Sequence, residues 1–256
     1  MMTPDPCRDL YLNLLKRSLL GLIDEDASNL YPDSIGKPSK PAPHDRARRV
    51  IGQDWPTRAP TMIGEARLDN IRFCIAQVLA DGIPGDLIET GVWRGGATIF
   101  MRAVLKAYEV GDRRVWVADS FAGLPAPNVA KYPQDQGMHL EDYKELAVSL
   151  EDVQANFARY GVLDKQVVFL KGWFRDTLPD APIDHLAVMR LDGDLYESTM
   201  DALVNLYGRL SRGGYVIIDD YQVPACRQAV HDFRTRQGIT DAIVPIDWAG
   251  VYWRRG

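Results

Sequence analysis

The chain has no long apolar run: none of its 256 residues belongs to a stretch near the ~20 residues that would span a bilayer. Nor is a short apolar stretch near the N-terminus followed by a small-residue cleavage site. Its three cysteines, Cys7, Cys74 and Cys226, are odd in number and far apart. That excludes metal-finger spacing and leaves them as thiols in a reducing cytosol. Charge of one sign never accumulates, and 30 basic against 35 acidic residues leave a formal charge of −5. A phosphate backbone and an anionic membrane surface are therefore not expected partners, and a cytoplasmic location is. No internal repeat is present.

What is there suits one globular domain with additions, since 46% of the residues are hydrophobic. Residues 8–28 place Leu10, Leu14, Leu15, Leu19 and Leu22 at helical spacing, which predicts one apolar stripe. From Tyr31 to Pro60 the chain is rich in proline and charge without a sustained period, and reads as a long arm. A helix is predicted at about 65–80, ending at the Gly82, Pro84, Gly85 cluster. Strand-like runs follow at 86–90, 114–119, 166–171, 186–191 and 214–219, with helices predicted at 96–108, 149–160, 197–210 and 226–237. This alternation predicts an α/β fold with parallel strands and right-handed crossovers. Two last strands, at about 242–247 and 250–254, are joined by DWAG, a hairpin connection that makes the final strand antiparallel. A Rossmann-like parallel sheet closed in this way is the arrangement of class I methyltransferases. The expected division is an arm over 1–64 and a catalytic domain over 65–256, with an irregular lid insertion at 121–148.

Ligands of open α/β sheets bind beyond the carboxyl ends of the strands. The first such strand ends at Glu89 and runs into Gly91-Val92-Trp93-Arg94-Gly95-Gly96. Gly91 permits a tight turn, and Gly95 and Gly96 let the backbone approach a ligand. The spacing is G-x-x-x-G-G, not the G-x-G-x-x-G that aims backbone donors at a pyrophosphate. Glu89 suits a cationic amino-acid or sulfonium ligand; an ordinary glycine turn is the competing reading. Asp119, ending the next strand, is placed to accept hydrogen bonds from ribose hydroxyls. Gly172 and Trp173 end the third and could bracket an adenine, although Trp173 could equally pack in the core.

The next two strands end in Asp192-Gly193-Asp194 and Asp219-Asp220-Tyr221. Neighbouring strands lie about 4.8 Å apart, so carboxylates at both ends can converge. Asp192, Asp219 and Asp220 together would repel unless a cation sat between them, and all-oxygen ligation favours Mg²⁺, Mn²⁺ or Ca²⁺. Solvated strand ends are the alternative. Asp194 is expected in solvent or capping the helix near Glu197. Such a site fits transfer of a sulfonium methyl to an oxygen nucleophile, where a metal lowers the hydroxyl pKa and a carboxylate takes the proton. Asp192 is the candidate for both ligand and base, with His139 as rival base or simply an exposed loop residue.

ETGVWRGGA, WVADSF, GWFRDTLP, MRLDGDLYESTMD, GGYVIIDDY and PACRQAVHDF, with LYLNLLKR and TMIG upstream, resemble the macrocin/mycinamicin O-methyltransferase family from about residue 10 onward. DLYEST resembles the aminocoumarin branch, which acts on a noviose-type sugar. The resemblance implies a Mg²⁺-dependent enzyme methylating a deoxysugar hydroxyl of an antibiotic glycoside such as a macrolide or aminocoumarin. It implies S-adenosylmethionine at Thr61, Met62, Glu89, Gly91, Asp119, Ser120, Gly172 and Trp173, and metal at Asp192, Asp219 and Asp220. It also implies a homo-oligomer whose interface takes part of the first helix's leucine stripe. Trp55 and Tyr221 are expected to face the acceptor. The alternatives are a catechol-type O-methyltransferase acting on a phenolic diol and, from another class, an NAD-binding oxidoreductase, against which Glu89 and G-x-x-x-G-G argue.

Overall fold

The computed structural model describes residues 5–30 and 41–256. The helices are α1 (Pro6–Leu19), α2 (Arg46–Val50), α3 (Gly64–Ala80), α4 (Gly96–Ala107), α5 (Leu150–Arg159), α6 (Phe174–Thr177), α7 (Tyr196–Leu206) and α8 (Pro224–Gln237). The strands are β1 (Ser28–Leu30), β2 (Trp55–Pro56), β3 (Asp86–Thr90), β4 (Val115–Asp119), β5 (Val167–Lys171), β6 (Leu186–Leu191), β7 (Leu210–Ile218), β8 (Val244–Pro245) and β9 (Val251–Arg254).

β3 to β9 form one sheet in the order β5-β4-β3-β6-β7-β9-β8. β3 to β7 are mutually parallel, β9 runs antiparallel to β7, and β8 antiparallel to β9. The predicted α/β class, the helix-covered parallel sheet and the antiparallel hairpin are all present. The hairpin closes with Ile246 N–H donating to the Gly250 carbonyl at 2.9 Å. β8 is only two residues long, shorter than the predicted 242–247, as suits an edge strand ending in Pro245. The period of two along each strand divides the core between the faces. Leu87, Val115, Val117, Val188 and Ile217 pack toward α1, α3 and α4. Ile88, Trp116, Ala118, Met189, Val216 and Ile218 pack toward α7 and α8.

The first helix corrects one expectation. Asp5 caps it, accepting from Cys7 N–H at 3.0 Å and Arg8 N–H at 3.1 Å, and it stops at Leu19. Leu12, Leu15 and Leu19 form the buried stripe, whereas Leu10 and Leu14 are 72% and 56% exposed. At roughly 100° per residue, Leu10 and Leu14 fall on the face opposite Leu12. Leu22 reaches the core from the turn beyond the helix.

Of the expected arm, residues 31–40 lie outside the described residues. The rest is held by buried charge. Arg49 pairs with Asp54 at 2.8 Å and donates to the carbonyls of Leu20 and Asp26. Asp26 accepts from the N–H groups of Arg58 at 2.8 Å and Ala59 at 2.7 Å. These contacts present Pro60, Thr61 and Met62 to the carboxyl end of the sheet. The segment 121–148, expected as a lid, carries three short 3-10 turns, Pro133–Asp135, Leu140–Asp142 and Lys144–Leu146.

Candidate functional site

A cavity of about 660 Å³ opens at the carboxyl ends of β3, β4, β6 and β7, roofed by the arm and the lid. Of the residues expected to hold a cofactor, Thr61, Met62, Glu89, Gly91, Asp119, Ser120 and Trp173 line it. Gly172 does not. Its N–H donates to the Asp119 carbonyl at 2.9 Å, so it shapes the turn that presents Trp173 and is not part of the wall. Gly91 has φ +84, and a Cβ there would lie 1.7 Å from the Asp192 carbonyl oxygen. No other residue type lets the first turn pass so close to the acidic loop. At Gly96 a Cβ would lie 2.6 Å from Pro60 O and Thr61 Cβ, so this glycine admits the arm to the site.

Asp119 accepts from Val92 N–H at 2.7 Å and Phe121 N–H at 2.8 Å. Burial nonetheless raises its pKa. Ser120 turns its hydroxyl inward, donating to the Gly123 carbonyl at 2.6 Å.

The floor of the cavity is an ionic network. Arg190 on β6, fully buried, donates to Glu89, to Asp192 at 2.8 Å and to Asp219. Arg67 on α3 donates to the other oxygen of Asp219 at 2.5 Å and to Asp247 at 3.0 Å. Glu89 keeps its Oε2 buried without a hydrogen-bond partner. Burial, opposed by Arg190, pushes its pKa up to about 8. An unpaired buried acceptor at this end of the cavity suits a cationic ligand group.

At the acidic end, Asp192, Asp219 and Asp220, the residues expected to hold a metal, all line the cavity. The carboxylates that converge are Asp192, Asp194 and Asp220, each offering an oxygen within 4.8 Å of the others. Asp219 lines the same cavity with both of its oxygens engaged by arginines. Asp194 neither stays in solvent nor caps α7. Its backbone, at φ 55, turns the carboxylate into the cluster, while its N–H donates to Asp220 at 3.0 Å. Burial, then the charges of Asp192 and Asp219, push the Asp194 pKa up to about 8. Asp220 is raised well above the carboxylate range by burial and by Asp194, Asp192 and Asp219. Asp192 is raised by burial and Asp219, against the pull of Arg190.

These shifts predict a pH dependence. A carboxyl whose folded pKa is raised contributes stability that is present below its unfolded pKa and lost as pH rises through the folded one. In chelator, the melting temperature should therefore fall from about pH 6 to about pH 8.5, above the range where the lowered Asp26 and Asp164 titrate. A flat or rising melting curve across that window would contradict it.

Trp55, expected to face the acceptor, lines the cavity and meets Tyr143 edge-on, with ring centroids 5.6 Å apart. Tyr221 does not face it, because its hydroxyl bonds His231 on α8 at 2.8 Å. His139 lines the rim with its side chain 68% exposed, 3.6 Å from Glu141. Residues unremarked in the sequence also contribute. Trp248, from the DWAG turn, lines the cavity and donates to the Ile51 carbonyl at 2.7 Å. Arg190 could have been noticed as the one charge inside the apolar run LAVMRL; Arg67 had no comparable signal.

A family model described as Macrocin-O-methyltransferase (TylF) matches residues 8–255. The chain is 58% identical over 254 residues to the 8-demethyl-8-(2,3-dimethoxy-alpha-L-rhamnosyl)-tetracenomycin-C 4'-O-methyltransferase of Streptomyces olivaceus, covering 99% of this chain and 95% of that one. It is 54% identical over 257 residues to the mycinamicin III 3''-O-methyltransferase of Micromonospora griseorubida, covering 99% of each. The solved structure of the O-methyltransferase NovP matches with a TM-score of 0.90 at 50% identity, covering 97% of this chain and 99% of that one.

Proposed function

Because the chain belongs to the macrocin O-methyltransferase family, we propose that it carries the methyl group of S-adenosylmethionine to a deoxysugar hydroxyl of an antibiotic glycoside. The observation that carries this reading is a single cavity with cofactor-suited groups at one end and three converging carboxylates at the other. Glu89, with its free Oε2, would receive the ammonium end of the donor, Asp119 the ribose hydroxyls, and Trp173 one face of the adenine. Thr61, Met62, Gly91 and Ser120 complete that wall. The sugar acceptors of the relatives favour a glycoside over a catechol.

The donor set fits a hard divalent cation: three carboxylates, no thiol and no imidazole. Asp192, Asp194 and Asp220 would hold Mg²⁺, which when bound acidifies the acceptor hydroxyl. Asp219 can join them only by releasing Arg67 or Arg190. The reaction breaks the donor's S–CH3 bond, forms O–CH3 and leaves a neutral thioether. The hydroxyl proton goes to a carboxylate. Asp192, the residue first considered, shares its charge with Arg190. Asp194 has no arginine partner and lies at the same point, so we assign it the proton. We further propose a homo-oligomer whose interface includes the exposed Leu10, Tyr11 and Leu14 of α1.

Turnover of the dimethoxy-rhamnosyl tetracenomycin acceptor, compared with a catechol, tests the acceptor class. Activity on the glycoside should disappear in EDTA and return with Mg²⁺; chelator-independent turnover would refute the metal assignment, and preference for the catechol the sugar. S-adenosylhomocysteine at about 100 times its Kd adds roughly 2.7 kcal/mol. That corresponds to a rise of about 5–10 °C in the melt, at roughly 2–4 °C per kcal/mol, with no comparable rise for NAD⁺.

A further inference from the structure

The helix that follows the acidic loop is capped from elsewhere in the chain. α7 begins at Tyr196, immediately after Asp192-Gly193-Asp194-Leu195, and its own N-cap residue, Leu195, makes no side-chain bond to the first turn. Two buried N–H groups would be left without partners. Asp135 of the lid supplies both acceptors: one oxygen accepts from Tyr196 N–H at 2.6 Å, the other from Glu197 N–H at 3.1 Å. Asp135 is 0% exposed although it sits in an irregular insertion about sixty residues upstream. Tyr132, three residues before it, packs against Tyr196 with centroids 5.8 Å apart and ring planes tilted by 38°.

The placement matters because of what lies on either side. Downstream of Asp135, Gly137, Met138, His139, Leu140, Tyr143 and Leu146 line the cavity, as Gly123, Leu124 and Pro125 do upstream of it. The far end of that wall is tied independently, by Trp93 Nε1 donating to the Glu145 carbonyl at 2.7 Å. Upstream of the capped turn stand Asp192 and Asp194, the latter bonded through its N–H to Asp220. One buried carboxylate therefore joins the acceptor-facing wall to the carboxylate loop.

We propose that Asp135 is a positioning residue that latches the lid onto α7 and so sets where the acceptor sugar sits relative to Asp192 and Asp194. It is buried and does not line the cavity. Its negative charge meets the positive end of the helix dipole and two otherwise unpaired donors. An asparagine would keep one acceptor and turn an NH2 group toward an N–H.

Asp135→Asn, Asp135→Ala and Asp135→Glu, each compared with wild type, test this in three ways. Amide hydrogen exchange over residues 132–146 and at Tyr196 and Glu197 should quicken in the Asn and Ala variants. S-adenosylhomocysteine affinity should stay within about twofold. The KM for the rhamnosyl glycoside should rise roughly tenfold or more, with a smaller loss in kcat, as a lost charge-assisted bond implies. The Glu variant, which keeps charge and both oxygens, should recover part of both effects. Unchanged exchange with unchanged KM would overturn the proposal. So would loss of S-adenosylhomocysteine affinity in step with the KM, the mark of general destabilisation. If the Ala variant does not fold, the Asn and Glu pair decides. The kinetic arm rests on the glycoside reading; should wild type turn over no glycoside, that reading fails and hydrogen exchange alone decides the latch.

Discussion

Asp194→Asn is expected to lower turnover by roughly 10²–10⁴-fold while S-adenosylhomocysteine affinity stays within about twofold. The amide keeps the shape of the side chain and removes its capacity to take a proton. The cofactor end should be indifferent, since Glu89, Asp119 and Trp173 make no hydrogen bond to Asp194. Asp192→Asn should also reduce turnover: like Asp194→Asn it removes a proposed Mg²⁺ ligand and should weaken metal retention, but it also removes a partner of Arg190 and not the proposed proton acceptor. His139→Ala should be close to wild type, because that imidazole is largely in solvent, 3.6 Å from Glu141. Should Asp194→Asn retain more than about a tenth of turnover while His139→Ala or Asp192→Asn loses it, the proton acceptor is one of those two residues.

The second large effect concerns stability. Arg190→Met should destabilise the protein by about 3–5 kcal/mol, the cost of removing one partner from a buried ionic group. For a chain of this size that is a fall of about 10 °C in melting temperature. Arg190 answers three carboxylates at once, Glu89, Asp192 and Asp219. Without it Glu89 has no cation partner, and Asp219 keeps only Arg67. Carboxyls in that position relieve the cost by taking up protons, so the gap between variant and wild type should narrow at pH 6 relative to pH 8.5. Adding Glu89→Gln to the variant should restore part of the loss, whereas it should weaken donor binding in the otherwise wild-type chain. A loss below about 1 kcal/mol for Arg190→Met at pH 8.5 would mean the network is replaceable.

Much of this architecture was legible because its signals are local. The runs at 86–90 and 186–191 became β3 and β6 with unchanged bounds, since a continuous apolar run between breakers leaves a buried parallel strand as the natural solution. DWAG marked the hairpin, G-x-x-x-G-G the first turn, and the acidic strand ends the chemistry. Glu89, Asp119, Asp192 and Asp220 all came to one cavity, because strand ends in a parallel sheet share one edge. The sequence thus determined which strand ends reach the site.

Tertiary structure decided what each one touches there. Asp219 and Asp220 are adjacent, yet one meets two arginines and the other the carboxylate cluster, because successive residues leaving a strand project to opposite sides. Which side holds Arg67 depends on how α3 packs, and that is not written near residue 219. Asp194 joined the cluster through a left-handed backbone turn. Tyr221 left the site for His231, and α1 buried Leu12 in preference to Leu10 because the core lay on that side. Asp135 is the plainest instance: one acid in an irregular segment acquires its role only when the fold brings it to the bare first turn of α7. Periodicity is a property of neighbours in the chain and can be read there, whereas the pairing of charges depends on distances in space that only the packed structure sets.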